Sequence, residues 1–290
     1  MTCEDILHFK NTIDSLLKFI VIPYAAVTLV SCQAQESNST SALSTTPSSS
    51  SNTSMRWNAS RLPLRVAVAS DFDLTEKDSS NHNLMQQMQS NWNDADSGRT
   101  YFNVSSEFTT TNKEYSALED YLDSEIGIYR SSSWFTFIGD GVLAITSFLA
   151  EDRGSYREML HGDIILNDKV FFFTNDTTDN SSAYDLPSVM IHELGHLLGL
   201  KHTTSSTTPS VMQPSLGRHD VQRSLQAYDS LAITELYDAS FALTASNGAL
   251  AITAGDEPRY IQGYMELRAD GSCRHYENGL LIDVHYTKVK

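Results

Sequence analysis

The chain has 290 residues, enough for one well-packed domain with additions, and carries 20 Lys and Arg against 36 Asp and Glu for a net charge of −16. This charge excludes a nucleic-acid partner, because the basic stripe needed to neutralise phosphates is missing, and it disfavours attachment to anionic lipid by charge. Three cysteines (Cys3, Cys32 and Cys273) are too few for a disulfide framework.

In chain order, Lys18 precedes an apolar run at 19–30. The run is shorter than the about 20 apolar residues of a membrane-spanning helix and suits the hydrophobic region of a signal peptide. It ends in Leu29-Val30-Ser31-Cys32, similar to a bacterial lipobox, in which the cysteine is lipidated and becomes the new N-terminus. Gln33 after it is similar to the pattern of lipoproteins sent to an outer membrane. Residues 33–56 are mostly Ser, Thr and Asn, cannot bury a core, and read as a flexible tether. An exported protein held in the cell envelope by an N-terminal lipid anchor is expected, with free secretion as the alternative. Cys273 is then alone in the mature body and reads as a buried, inert thiol.

Residues 62–68 are apolar on both faces, as in a buried strand. Residues 83–94 predict an amphipathic helix with Leu84, Met88 and Trp92 at helical spacing, ended by Ser97-Gly98. Phe102-Asn103-Val104 predicts the start of a second strand, and 115–122 a short helix. Strands are predicted at 126–130, 135–138, 164–166 and 170–173, with a turn at Gly139-Asp140-Gly141. Past 240, Ser246-Asn247-Gly248 and Ala269-Asp270-Gly271 are hairpin-turn signals, and 260–267 and 280–286 are strand-like. These predict a small β appendage, either packed on the main domain or separate. The main body fits an α+β fold, a twisted mixed sheet carrying two long helices on one side.

The chemistry lies at 192–202, which reads His-Glu-Leu-Gly-His-Leu-Leu-Gly-Leu-Lys-His. On a helix His192 and His196 stand one turn apart on one face, so both imidazoles can reach one metal ion. Glu193 sits at the edge of that face, where it can hold a metal-bound water without binding the metal. Gly199 permits the left-handed turn that ends the helix and brings round His202. Three His ligands with an open fourth position make a catalytic zinc arrangement. Met212, in Ser210-Val211-Met212-Gln213-Pro214, stands where this long motif expects its Met-turn.

With these residues in hand, the chain resembles the matrixin-type metzincins. Asp185-Leu186-Pro187 leads into the zinc helix as in that family. Ser224-Leu225, Tyr228-Asp229, Ala232-Ile233 and Leu236-Tyr237 are similar to its last helix. Residues 141–148 resemble the edge strand that rims the substrate cleft, 162–168 the strand after it, and 62–68 the first strand. The resemblance implies a metzincin fold at 57–240, after a signal peptide with lipobox at 1–32 and the tether at 33–56. A β-rich extension at 241–290 lies outside it.

The resemblance further implies a zinc endopeptidase acting on protein or peptide substrates, expected to be a monomer. His192, His196 and His202 would hold one catalytic Zn2+, Glu193 would be the general base, and Met212 an apolar floor. Leu143, Ala144, Ile145 and Thr146 would bind extended substrate by strand addition. Ile145 and Ile165 stand where relatives supply histidines for a second zinc, so no structural zinc is expected. Asp163 and Asp168 could contribute to a calcium site but read as solvated turn carboxylates, so Ca2+ is not predicted. His161 and His219 read as surface residues. The competing class is a lipid-anchored binding module on an inactive metzincin fold, which would be expected to lose a ligand or the base.

Overall fold

The computed structural model describes residues 53–176, 178, 182–205, 207–238, 258–270 and 272–286. The signal peptide, Cys32, most of the tether and the Ser246-Asn247-Gly248 turn lie outside the described residues.

Eleven strands and three α-helices are described: β1 (Ser54–Trp57), β2 (Val66–Ala69), α1 (Leu84–Asn93), β3 (Thr109–Thr110), β4 (Ile126–Ser131), β5 (Val142–Asp152), β6 (Tyr156–Asn167), β7 (Phe173–Thr174), β8 (Tyr184–Asp185), α2 (Leu186–Leu197), α3 (Ala227–Tyr237), β9 (Tyr260–Arg268), β10 (Ser272–Glu277) and β11 (Leu280–Tyr286). Nine strands form one mixed sheet, ordered β11-β10-β9-β5-β6-β4-β2-β3, with β1 also on β6. β4 runs parallel to β6 from Ile128↔Ile164, and β5 runs antiparallel to it on the other side. β7 and β8 form a separate parallel pair. This is the α+β mixed sheet expected.

α1 begins where the sequence predicts because Asn83 and Gln86 close a capping box. Its Met85, Met88 and Trp92 are buried, and the Trp92 indole donates to the Ile191 carbonyl at 2.9 Å, tying α1 to α2. Asp185 caps α2 by accepting from the Ser188 amide at 3.0 Å, and Pro187 occupies the first turn.

Four local readings are corrected. Phe135–Ile138 is a turn: Phe135 and Ile138 are buried, three positions apart, while Phe137 is exposed. Of 170–173, only Phe173 is in a strand, and Val170 and Phe172 are exposed. Phe102 makes a single bridge to Leu64 instead of starting a strand. Ser54–Trp57 reaches into the segment read as tether. It is a strand because Met55 and Trp57 alternate into the core, parallel to Tyr156–Met159.

The C-terminal residues join the main sheet. β9 pairs antiparallel with β5 from Val142↔Arg268 to Glu151↔Tyr260. β10 and β11 extend the sheet beyond it.

Candidate metal centre and active site

α2 is buried from Pro187 to Leu197, and its residues are apolar except for Ser188, His192, Glu193 and His196. Its C-terminal turn is held by side chains far before and after it in sequence. The Trp57 indole donates to the Leu197 carbonyl at 2.6 Å, and the Tyr237 hydroxyl donates to the Leu198 carbonyl at 2.8 Å. The chain then turns at Gly199, where φ is +96° and an added Cβ would lie 2.0 Å from the Met55 carbonyl oxygen. Glycine is required twice over, by the dihedral and by the neighbouring backbone.

This turn delivers His202 to the helix face. The Nε2 of His202 is 3.1 Å from that of His192 and 2.9 Å from that of His196. On the far side of each ring, His192 Nδ1 donates to the Val211 carbonyl and His196 Nδ1 to the Leu200 carbonyl, both at 2.7 Å. These bonds fix the tautomer that leaves the Nε2 lone pairs converging. Converging lone pairs repel one another unless a cation lies between them. Burial pushes the His192 pKa down to about 4 despite the Val211 bond, and burial holds His196 well below the usual range. Both imidazoles therefore stay neutral, the form that binds metal. Among the described residues, this is the group of His, Cys, Asp and Glu side chains that converges tightly enough for a metal ion. Three imidazoles and no thiolate or carboxylate in the set fit zinc.

Glu193 lies beside this cluster, 0 % exposed. One carboxylate oxygen accepts from the Thr146 hydroxyl at 2.6 Å, and the other has no partner. Burial pushes its pKa up to about 8 against the opposing Thr146 bond. A buried carboxyl oxygen without a partner, next to three converging imidazoles, suits a water held between them.

Met212 is buried against α2: a Cβ on Gly195 would meet its sulfur at 2.4 Å and the Trp92 ring at 2.8 Å. The Met212 carbonyl accepts from the Thr203 amide at 2.9 Å, and its amide donates to Ser210 Oγ at 2.9 Å. The turn is anchored by buried Asp229, which accepts from the Ser210 hydroxyl, the Val211 amide at 3.0 Å and the Gln226 amide at 2.8 Å. Motif reading finds Asp229 only as part of a helix pattern, not as the anchor of the loop.

Residues 55–238 match the family described as Matrixin. The chain belongs to the matrixin family. Among curated proteins, it is 34% identical over 121 residues to Metalloendoproteinase 4-MMP of Arabidopsis thaliana, covering 41% of this chain and 33% of that one. It is 29% identical over 182 residues to karilysin of Tannerella forsythia, covering 53% of this chain and 35% of the other. It is 39% identical over 72 residues to Metalloendoproteinase 1 of Glycine max, covering 24% and 23%. The chain thus spans about a third of the length of the first two relatives, and less of the third. No solved structure matches it.

Other residues of this matrixin differ from the sequence reading. Leu143, Ala144, Ile145 and Thr146 are all 0 % exposed, and β9 pairs with the β5 edge expected for substrate. Thr146 turns its side chain to Glu193. His161 is buried, not on the surface, and its Nε2 lies 2.6 Å from Asp163, which is also buried and accepts from the Gly127 amide at 2.8 Å. Asp163 is thus a core residue of β6 rather than a solvated turn carboxylate. Asp168 pairs with Arg130, and His219 is exposed as expected. Cys273 is buried as expected, but its sulfur lies 3.1 Å from both ring nitrogens of His202. His275 is buried as well, with its ring centroid 5.8 Å from that of Phe148. Cys273 and His275 are two apart on one strand, a spacing that puts both on one face. That spacing was the available signal.

Proposed function

We propose that this chain is a zinc-dependent endopeptidase that hydrolyses peptide bonds of proteins. The observation that carries the reading is the convergence of three imidazole Nε2 atoms beside the buried, half-partnered Glu193 carboxyl. His192, His196 and His202 would hold the zinc through Nε2. When bound, zinc supplies a Lewis acid that polarises the scissile carbonyl and makes water acidic enough to attack near neutral pH. Glu193 accepts the proton of the attacking water and returns it to the leaving amine. Thr146 holds the carboxyl in the orientation that this transfer needs. Met212 packs beneath the imidazoles and takes no part in proton transfer, and residues 214–219 wall the pocket beside the scissile bond.

The test is prolonged incubation of casein with the purified full chain, with zinc, with a chelator, and as Glu193→Ala. Cleavage that both the chelator and the substitution abolish supports the reading. A folded, zinc-loaded chain whose residual cleavage is unchanged by Glu193→Ala overturns it.

The lipobox-like segment supports a second part of the proposal, that the mature protein is tethered to a membrane through lipidated Cys32. Release of the protein to the soluble fraction by Cys32→Ser is the expected result, and unchanged partitioning would sink it.

A further inference from the structure

β9 touches both walls of the proposed cleft. Along β5 it pairs antiparallel, with Thr146 opposite Met265, Ile145 opposite Glu266 and Ala144 opposite Leu267. Just beyond, Arg268 makes a parallel bridge to Ser215, inside the 214–219 segment. A peptide that binds by adding a strand uses the same kind of backbone pairing. The chain's own strand thus follows the course proposed for an extended substrate.

It also passes the metal centre. Paired residues of an antiparallel ladder share a face, so Met265 and Leu267 lie on the face from which Thr146 reaches Glu193. Both are 1 % exposed. Glu266, between them, accepts from Arg268 through its side chain at 3.1 Å, while its backbone carbonyl is touched by the Cys273 sulfur. That sulfur is 3.1 Å from the ring nitrogens of His202. A peptide carbonyl is therefore within one side chain of the histidines, and the bond after it leads to buried Leu267.

We propose that the Glu266–Leu267 peptide bond is a substrate of this chain's own metal centre, cut within the same molecule. This rests on the peptidase reading above. The oxygen of a water adds to the Glu266 carbonyl carbon, and the C–N bond to Leu267 breaks. Glu193 takes a proton from that water and passes it to the Leu267 nitrogen. One water is consumed, and the products are a chain ending in the Glu266 carboxyl and a fragment 267–290 beginning with the Leu267 amine. His192, His196, His202 and Glu193 are 7 % exposed or less, so water enters slowly and the cut is a single slow event in each chain. Holding the bond beside the centre makes the reaction intramolecular, and its rate should not change on dilution.

Zinc is added to the purified metal-free full chain and to Glu193→Ala. Intact masses are followed through prolonged incubation at two protein concentrations about tenfold apart. We expect loss of the intact chain with release of fragment 267–290, at one fractional rate at both concentrations, and no loss in Glu193→Ala. Hydrogen exchange of the metal-free chain gives a readout apart from turnover. The β5 amides that face β9 should be protected, and Gly263→Val should unprotect them, because a Cβ there would lie 2.2 Å from the Tyr276 carbonyl oxygen and 2.5 Å from the Phe148 ring. The same variant, with its β5 edge freed, is given casein with and without Glu193→Ala. An intact Glu266–Leu267 bond in the zinc-loaded chain overturns the self-cut, whether or not Gly263→Val folds, and Glu193-dependent cleavage of casein then leaves the peptidase reading standing. A cut that slows on dilution or falls at another bond, or unprotected β5 amides, overturns the self-cut as well. No Glu193-dependent cleavage of the chain or of casein removes the peptidase reading and the self-cut with it.

Discussion

Thr146 on β5 donates its hydroxyl to Glu193 on α2 at 2.6 Å, so the strand beside the metal centre also holds the carboxyl. The bond stabilises the ionised form. Thr146→Val removes it and strands a second buried carboxylate oxygen. A hydrogen bond to a charged group is worth about 1.5–3 kcal/mol, so kcat should fall about 10-fold to 100-fold. The acid limb of the pH–rate profile should move to higher pH, because the group that opposes the burial-raised pKa is gone. Thr146→Ser should restore both. A rate loss with no movement of the limb would reduce Thr146 to a packing role.

The metal-free protein should lose stability as pH rises from 6.5 to 8. Glu193 has a folded pKa of about 8 against an ordinary 4.5, so the folded state keeps a proton that the unfolded chain releases across that interval. Stability from this group is fully present below pH 4.5 and is gone above about 8. His192 has the opposite sense: its folded pKa of about 4 lies below 6.5, so its contribution is present above 6.5 and lost as pH falls towards 4. Between 6.5 and 8 the His192 contribution is level and Glu193 adds a slope of up to about 1.4 kcal/mol per pH unit. Urea titrations in chelator, comparing the unsubstituted chain with Glu193→Gln, should show that part of the slope vanish in the variant. Parallel profiles would contradict the buried proton.

Gly195→Ala should destabilise the fold by about 1–3 kcal/mol, the usual cost of overpacking, because the new methyl meets Met212 and Trp92. Gly199→Ala should cost more, since its neighbour is backbone and φ is +96°. Denaturation midpoints rank the two, and the reverse order would refute the argument.

Asp229→Ala leaves the Ser210 hydroxyl and the Val211 and Gln226 amides without their acceptor. At about 1–3 kcal/mol for each of the buried donors on Ser210 and Val211, the loss should be about 2 kcal/mol or more. Because the Val211 carbonyl orients His192, zinc affinity should fall in the same variant. Zinc competition with a chromophoric chelator reads this directly, and unchanged affinity would detach the loop from the metal centre.

The centre was legible because its information is local. His192 and His196 share a helical face, Gly199 carries its own turn, and Asn83 with Gln86 writes the start of α1 in four residues. Elsewhere, short apolar runs misled: Phe135 and Ile138 are equally buried by a turn or a strand until their neighbours are known. The pairing of β9 with β5 joins residues more than a hundred positions apart, and nothing in either strand specifies its partner. For the same reason Cys273 reads as a lone thiol, although it is folded against His202, 71 positions away.

The short strand Ser54–Trp57 also sets where this molecule can be cut. Trp57 caps the Leu197 carbonyl, its amide donates to the Tyr237 hydroxyl, and the Met55 backbone fills the space that Gly199 leaves open. A break between Trp57 and Leu64 would therefore do more than shorten a terminus. It would leave the end of the histidine-bearing helix uncapped, put the position of His202 at risk, and couple metal retention to the integrity of a segment far from it in sequence.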